Sequence, residues 1–272
     1  MWSYAQKGWS TARRSFFLLL LLFLYQYGWG FVLFNYVKSI VVPLLHRYPG
    51  GDLSDPGNRL FWLEAQFQLM KTDLIMPYVW AFALFVLVRM ALTPLINAGV
   101  LYAVHSGRRP QRIAFFEGMK RFAKPFLLLY LLQALLTFAP LLWAVPHILQ
   151  GVFAATGWTS LAASTLPYLT GWLIYQGLLD LAFMYIGFGI VSGGGGWSSL
   201  LLFLRRMAPV TGVALTIFFI SGGIGLLSAS ASVWRAGFLA VVVHQSYPLV
   251  HTLFQLWGIC SQYHIWSSTP SR

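Results

Sequence analysis

From Ser15 to Val42 the chain offers water almost nothing, since Lys38 is the one charged side chain in that stretch. A helix needs about 20 apolar residues to cross a hydrocarbon core of about 30 Å. Comparable runs recur at about 77–104, 125–149, 166–192, 209–231 and 236–262. The expected fold class is therefore an all-α integral membrane protein with six transmembrane helices. Charged residues are 9% of the 272, against roughly 25% in soluble domains, which excludes a mostly wet surface. Lipid is the expected solvent, and 1–272 reads as a single polytopic membrane domain.

The formal charge of +12 would point to nucleic acid in a soluble protein. Here the basic clusters abut the spans, so they read as topology signals facing anionic headgroups, and no nucleic acid partner is expected. Lys7, Arg13, Arg14, Arg108, Arg109, Arg112, Lys120, Arg121, Lys124, Arg205, Arg206 and Arg272 fall on one side. Lys38, Arg47, Arg59, Lys71 and Arg235 fall on the other, with Arg89 inside a span. The side richer in Lys and Arg is cytoplasmic by the positive-inside rule, which places both termini inside. The stretch after Arg14 exceeds a signal-peptide core and lacks a small-residue cleavage site, so it reads as a retained first span.

The outer segment 46–76 is the long polar stretch, carrying Asp52, Asp55, Glu64 and Asp73. Turn signals open it, then Leu60, Leu63, Phe67, Met70 and Leu74 recur at helical spacing. An amphipathic helix on the outer membrane face, packed on the spans, is expected.

A basic amphipathic element precedes spans one, three and five. The first sets Trp2, Ala5, Trp9, Ala12 and Phe16 against Ser3, Gln6, Lys7, Ser10, Arg13 and Arg14. The second sets Phe115, Phe116, Met119, Phe122 and Phe126 against Glu117, Lys120, Arg121 and Lys124. The third sets Trp197, Leu200, Leu201, Leu204 and Met207 against Ser198, Ser199, Arg205 and Arg206. Each closes on a basic pair, and Pro125 and Pro209 mark a bend into the span in two of them. Such helices lie in the inner interface, apolar face toward the acyl chains. The chain thus parses as three elbow-helix-plus-hairpin repeats, about 1–104, 105–192 and 193–262. Pro77-Tyr78 and Pro167-Tyr168 open corresponding spans.

Arg89 and Asp180 follow those Pro-Tyr openings by similar distances, so both are expected near the bilayer midplane. An unpaired charge there costs at least about 2.5–3.5 kcal/mol, so both are expected to face the bundle interior and pair. The pair would either fix helix register or form a substrate, headgroup or proton site. The basic residues Arg108, Arg109, Arg112, Lys120, Arg121, Lys124, Arg205 and Arg206 are the candidate inner-face docking or headgroup contacts.

No cofactor or metal is expected. His244 and His251 lie about 10 Å apart along one helix, too far for one metal, and His147 ends the third span. Cys260 has no partner for an intrachain disulfide. The Gly193–Gly196 run lacks the following Lys-Ser/Thr of a phosphate loop and reads as an inner turn. Gly222, Gly223 and Gly225 give the fifth span a small-residue side suited to close packing. No HExxH zinc site, intramembrane carboxylate pair or Ser-His arrangement in a catalytic context is present, so a non-enzyme is expected.

The six-span pattern, with Phe115-Phe116-Glu117-Gly118-Met119-Lys120-Arg121-Phe122 leading into a span, resembles one loose group. This is the six-helix bacterial membrane domain found alone in YciC-like proteins and fused to some glycerophosphodiester phosphodiesterases. The resemblance implies a bacterial cytoplasmic membrane and a role in envelope or transport systems, with no catalytic residues to carry over. The leading expectation is a non-catalytic membrane subunit, a scaffold or permease-type component working with other protein subunits and with anionic lipids at its inner face. The alternative is a self-contained transporter of a small molecule or lipid, using Arg89 and Asp180.

Overall fold

The computed structural model describes residues 2–47, 63, 76–107, 109–154, 157–234 and 238–268, with side chains described except at 44–47, 153–154, 158, 231–234 and 238–245. The expected outer amphipathic segment, 46–76, falls outside the described residues save at its ends and Leu63.

An unpaired backbone group in hydrocarbon costs several kcal/mol, and a helix pairs its own. The long apolar runs accordingly form long helices. Among the described residues these are α1 (Trp2–Arg14), α2 (Phe16–Arg47), α3 (Met76–His105), α4 (Gln111–Ala154), α5 (Trp158–Ser192), α6 (Gly196–Arg205), α7 (Met207–Trp234) and α8 (Phe238–Ser267). Five of them, α2 to α5 and α7, are long and apolar enough to cross a membrane. Their side chains stand outward: Leu142 is 82% exposed, Leu226 74% and Phe219 70%. In water that display would drive aggregation; in lipid it costs nothing. The protein is an all-helical multi-pass membrane protein.

The sixth expected span, 236–262, coincides with α8, which is not among the five counted over the described residues and whose side chains are described from Ser246 on. Thr252, Leu256, Trp257, Cys260, Ser261, Gln262 and Ile265 of α8 are all buried, against α1, α7 and α5. A helix sheathed by protein can carry polar groups that lipid would not tolerate.

The chain divides into two compact units, Leu21–Thr93 and, together, Met1–Leu20 with Pro94–Arg272. In the smaller unit α2 and α3 pair as an antiparallel hairpin. Tyr25 Oη lies 2.8 Å from Thr93 Oγ1, Trp29 stacks edge-on against Phe85 at 4.8 Å, and Tyr36 Oη donates to Tyr78 O at 2.6 Å. As the first partner advances along the chain, the second retreats.

In the larger unit α4 and α5 form a second hairpin by the same logic. Gln133 meets Asp180, Tyr175 Oη donates to Leu136 O, Trp172 Nε1 donates to Thr137 O and Trp143 packs on Tyr168. A third hairpin joins α7 to α8, where Gln262 Nε2 donates to Val210 O at 2.9 Å and Gly225 abuts the Tyr247 ring.

The elbows depart from expectation in three ways. In α1 the buried residues are Ala5, Gly8 and Ala12, and they pack on α8. The acyl boundary expected for that face is therefore replaced by protein contact, while Trp2 remains 60% exposed. The second elbow does not bend off as a separate helix, since α4 runs unbroken from Gln111 through Pro125. In α6 Trp197, Leu201 and Leu204 are exposed, as an apolar face toward acyl chains would be, but Ser199, expected on the polar side, is buried with Phe203. Ser199 is buried because its Oγ accepts the Trp266 indole N–H at 3.1 Å.

Candidate functional site

Asp180 sits on α5 where the α4–α5 hairpin sets Gln133 opposite it. Its Oδ1 accepts the Gln133 Nε2–H at 2.7 Å and the Gln176 Nε2–H at 3.0 Å, the second from one turn earlier on α5. The carboxylate is exposed on its unit, and the Oε1 of Gln176 is buried with no hydrogen-bond partner among the described residues. Arg89 belongs to the other unit and is exposed as well; its backbone carbonyl accepts Thr93 Oγ1–H at 2.7 Å. Each of the two side chains stands on the surface of its own unit. The sequence reading missed Gln133 and Gln176. Gln176 precedes Asp180 by four residues, a spacing that brings two side chains together on a helix, and could have been found. Gln133 needs the hairpin register.

The basic residues divide by what they touch. Arg108 lies outside the described residues. Arg109 Nη1 donates to Glu117 Oε2 at 2.7 Å, and Glu117 Oε1 accepts the Tyr102 hydroxyl at 3.2 Å. That is the one salt bridge among the described residues. Arg112 lies over the Phe17 ring at 5.6 Å and Arg121 over Phe122 at 5.4 Å. Lys120, Lys124 and Arg205 are exposed. Arg206 is half-buried at the break between α6 and α7, where its N–H bonds to Leu202 O and Phe203 O.

This surface stands on a rigid base. Ala114, Phe115, Gly118 and Phe126 of α4 are buried. A side chain on Gly118 would meet Tyr102 Cβ at 2.5 Å, and one on Gly99 would meet the Phe115 ring at 2.5 Å. Two glycines thus set how closely the end of α3 approaches the start of α4. Between them and the end of α5 opens a cleft of about 390 Å³. Tyr102, His105, Ser106 and Arg109 border it on one side, Arg121 and Phe122 on another, with Ser192 and Gly193 closing it.

Behind the cleft lies an aromatic cluster. Phe188 sits 5.6 Å from Tyr263 and 5.9 Å from Trp266, and His105 packs edge-on against both Tyr263 and Trp266. Deeper still, the fully buried Tyr185 hydroxyl donates to Gln262 Oε1 at 3.0 Å. On the flank, Thr11 Oγ1 lies 3.0 Å from His264 Nε2. Burial holds that imidazole below its ordinary pKa, and nearby Lys7 pushes the same way.

The glycine run forms a turn between α5 and α6, with Gly193 at φ 76° and Gly195 at φ 87°. Both lie in the left-handed region that a Cβ disfavours. Among the described residues no group of three or more His, Cys, Asp or Glu converges as metal ligands. His251 is exposed beside the Tyr247 ring, the His244 side chain is outside the described set, and Cys260 is fully buried.

Comparison with protein-family models, curated proteins and solved structures yields no match to this chain.

Proposed function

We propose that the chain is a non-catalytic integral membrane subunit, a scaffold or permease-type component of a multi-protein assembly. In this reading it has six spans and both termini inside, and the bacterial cytoplasmic membrane follows from the resemblance noted above. One observation carries the reading: Lys120, Lys124 and Arg205 are exposed and form no ion pair among the described residues. They ride on helices whose opposite faces are tightly packed, so the charges are presented without internal use. Preorganised, unspent cations recruit acidic partners and speed their encounter.

Gentle detergent extraction followed by mass spectrometry tests this reading. A second chain should co-purify at near-equal amount, and K120E/K124E should release it. Recovery of this chain alone at native expression would overturn the subunit reading.

A second reading, a small-molecule or lipid transporter, draws support from Asp180. Among the described residues its Oδ2 has no partner, and Gln176 Oε1 lies unpaired close by. Two free acceptors in an apolar span suit a cationic or proton-donating group. Flux into vesicles abolished by Asp180→Asn, with folding intact, would establish that reading over the first. Equal flux would remove it.

A further inference from the structure

We propose that the cleft between the ends of α3 and α5 and the start of α4 holds the phosphate of one anionic phospholipid from the adjoining leaflet. The proposal rests on the membrane reading of the chain and not on the subunit reading, because the phosphate contacts it names are Arg109 and Arg121, with Lys120 and Lys124 adding only to the charge around the mouth.

Location comes first. The cleft is bordered by His105 and Ser192, the last residues of two apolar spans, and by the basic opening of a third. Span ends lie at headgroup depth, so a lipid phosphate passes the mouth of the cleft without leaving its leaflet. The open-mouthed cleft of about 390 Å³ suits a headgroup. Ligand sites run from about 300 to 1,000 Å³.

Donor accounting comes next. Ser106 Oγ already donates to Tyr102 O, Ser192 Oγ to Gly189 O, and the Gly193 N–H to Ile190 O. The hydroxyls are thus committed, and recognition falls to the guanidinium groups. Arg109 spends Nη1 on Glu117, which fixes its fork and leaves further N–H groups free. Arg121 has no carboxylate partner among the described residues and is steadied by the Phe122 face. Paired arginines held in place are what bidentate phosphate recognition requires.

Charge balance points the same way. The carboxyl ends of α3 and α5 each bring roughly half a negative charge, and Glu117 brings one more. Those offset the two arginines almost fully, so the cleft alone would not concentrate multivalent anions. Lys124, three residues beyond Arg121 on the same side of α4, and its neighbour Lys120 tip the mouth positive. A singly charged phosphodiester matches that modest excess, and its acyl chains stay in the bilayer beside the exposed Phe116 and Leu127.

Native mass spectrometry of the full chain in detergent tests this, with phosphatidylglycerol, phosphatidylcholine and inorganic phosphate offered separately and in competition. One phosphatidylglycerol should be retained in preference to phosphatidylcholine, and Arg121→Gln should weaken it about tenfold, the scale of one charge-assisted contact. Arg121→Lys should keep part of the binding, and Lys38→Gln, at an exposed residue that does not border the cleft, should keep all of it. Arg121 is exposed and touches little, so its variants fold. Unchanged retention in Arg121→Gln, or equal retention of phosphatidylcholine, would overturn the proposal. Displacement of the lipid by equimolar inorganic phosphate would instead assign the cleft to a free anion.

Discussion

Gly8 of α1 faces the backbone of Ser261 on α8 so closely that a β-carbon on Gly8 would lie 2.6 Å from both Ser261 N and Ser261 Cα. Because the obstacle is backbone, no side-chain rotation relieves it. The first elbow is therefore keyed to the last helix by the absence of a single methyl group.

Gly8→Ala should weaken that joint. Alanine gains about 1 kcal/mol of helix propensity over glycine, but overpacking costs about 1–3 kcal/mol, and here the backbone itself must move. The clash should win. Ser261→Ala should be neutral or slightly stabilising, since Ser261 Oγ is buried with no hydrogen-bond partner among the described residues. Thermal unfolding in detergent reads both. A Gly8→Ala protein as stable as the parent would show that α1 does not seat on α8 this closely.

The spans were legible because hydrophobic length alone dictates them, and α2, α3, α4, α5 and α7 fall where the apolar runs do. The break after Arg14 also follows its basic pair, and the one at Arg206 falls within the other. Pro125 misled. Inside lipid a helix that loses one N–H bond to proline still has no better alternative, and neighbouring groups re-satisfy the backbone, so α4 continues. Pro209 is harmless for another reason: it is the third residue of α7, where N–H groups lack intrahelical acceptors anyway. The seat of α1 was not legible, because Ala5, Gly8 and Ala12 read as a weak apolar stripe. Their meaning comes from Trp257 and Ser261, about 250 residues away in sequence.

Gln262 should be among the least replaceable side chains. It accepts from Tyr185 and donates to Val210 O, and all of this is buried. Gln262→Leu strands a hydroxyl and removes one partner from a carbonyl, at about 1–3 kcal/mol for each unsatisfied group. Adding Tyr185→Phe removes the stranded hydroxyl and should return part of the loss. The signature is this partial recovery in the double variant's unfolding midpoint. Strictly additive losses would mean that the two groups do not bond.

Acid should loosen the α1–α8 joint through His264, which lies just beyond the expected last span. Burial, with Lys7 nearby, holds its folded pKa below the ordinary value of about 6.5. Between those two values the unfolded chain binds a proton that the folded chain refuses, so stability falls as pH drops from about 6.5 through the folded pKa, then levels. The stabilisation is fully present above pH 6.5. His264→Gln keeps a hydrogen-bonding partner for Thr11 without titrating. The difference between parent and variant midpoints should therefore change across that window, and parallel curves would exclude a role for this imidazole.

Asp180 separates charge from hydrogen bonding. Both amides donate to Oδ1, and an asparagine oxygen in the same place accepts them equally. Asp180→Asn should then fold as the parent does. Asp180→Leu removes the shared acceptor from Gln133 and Gln176, and hydrogen bonds to a charged group are worth about 1.5–3 kcal/mol each. Partial exposure of the site to its surroundings reduces that figure, so the lower end is expected. The medium sets the size of the loss. In detergent micelles, where water reaches the hairpin, the leucine variant should lose less stability than in a bilayer nanodisc. Equal losses in the two media would mean that Asp180 already faces water, and the α4–α5 hairpin would then border an aqueous path rather than acyl chains.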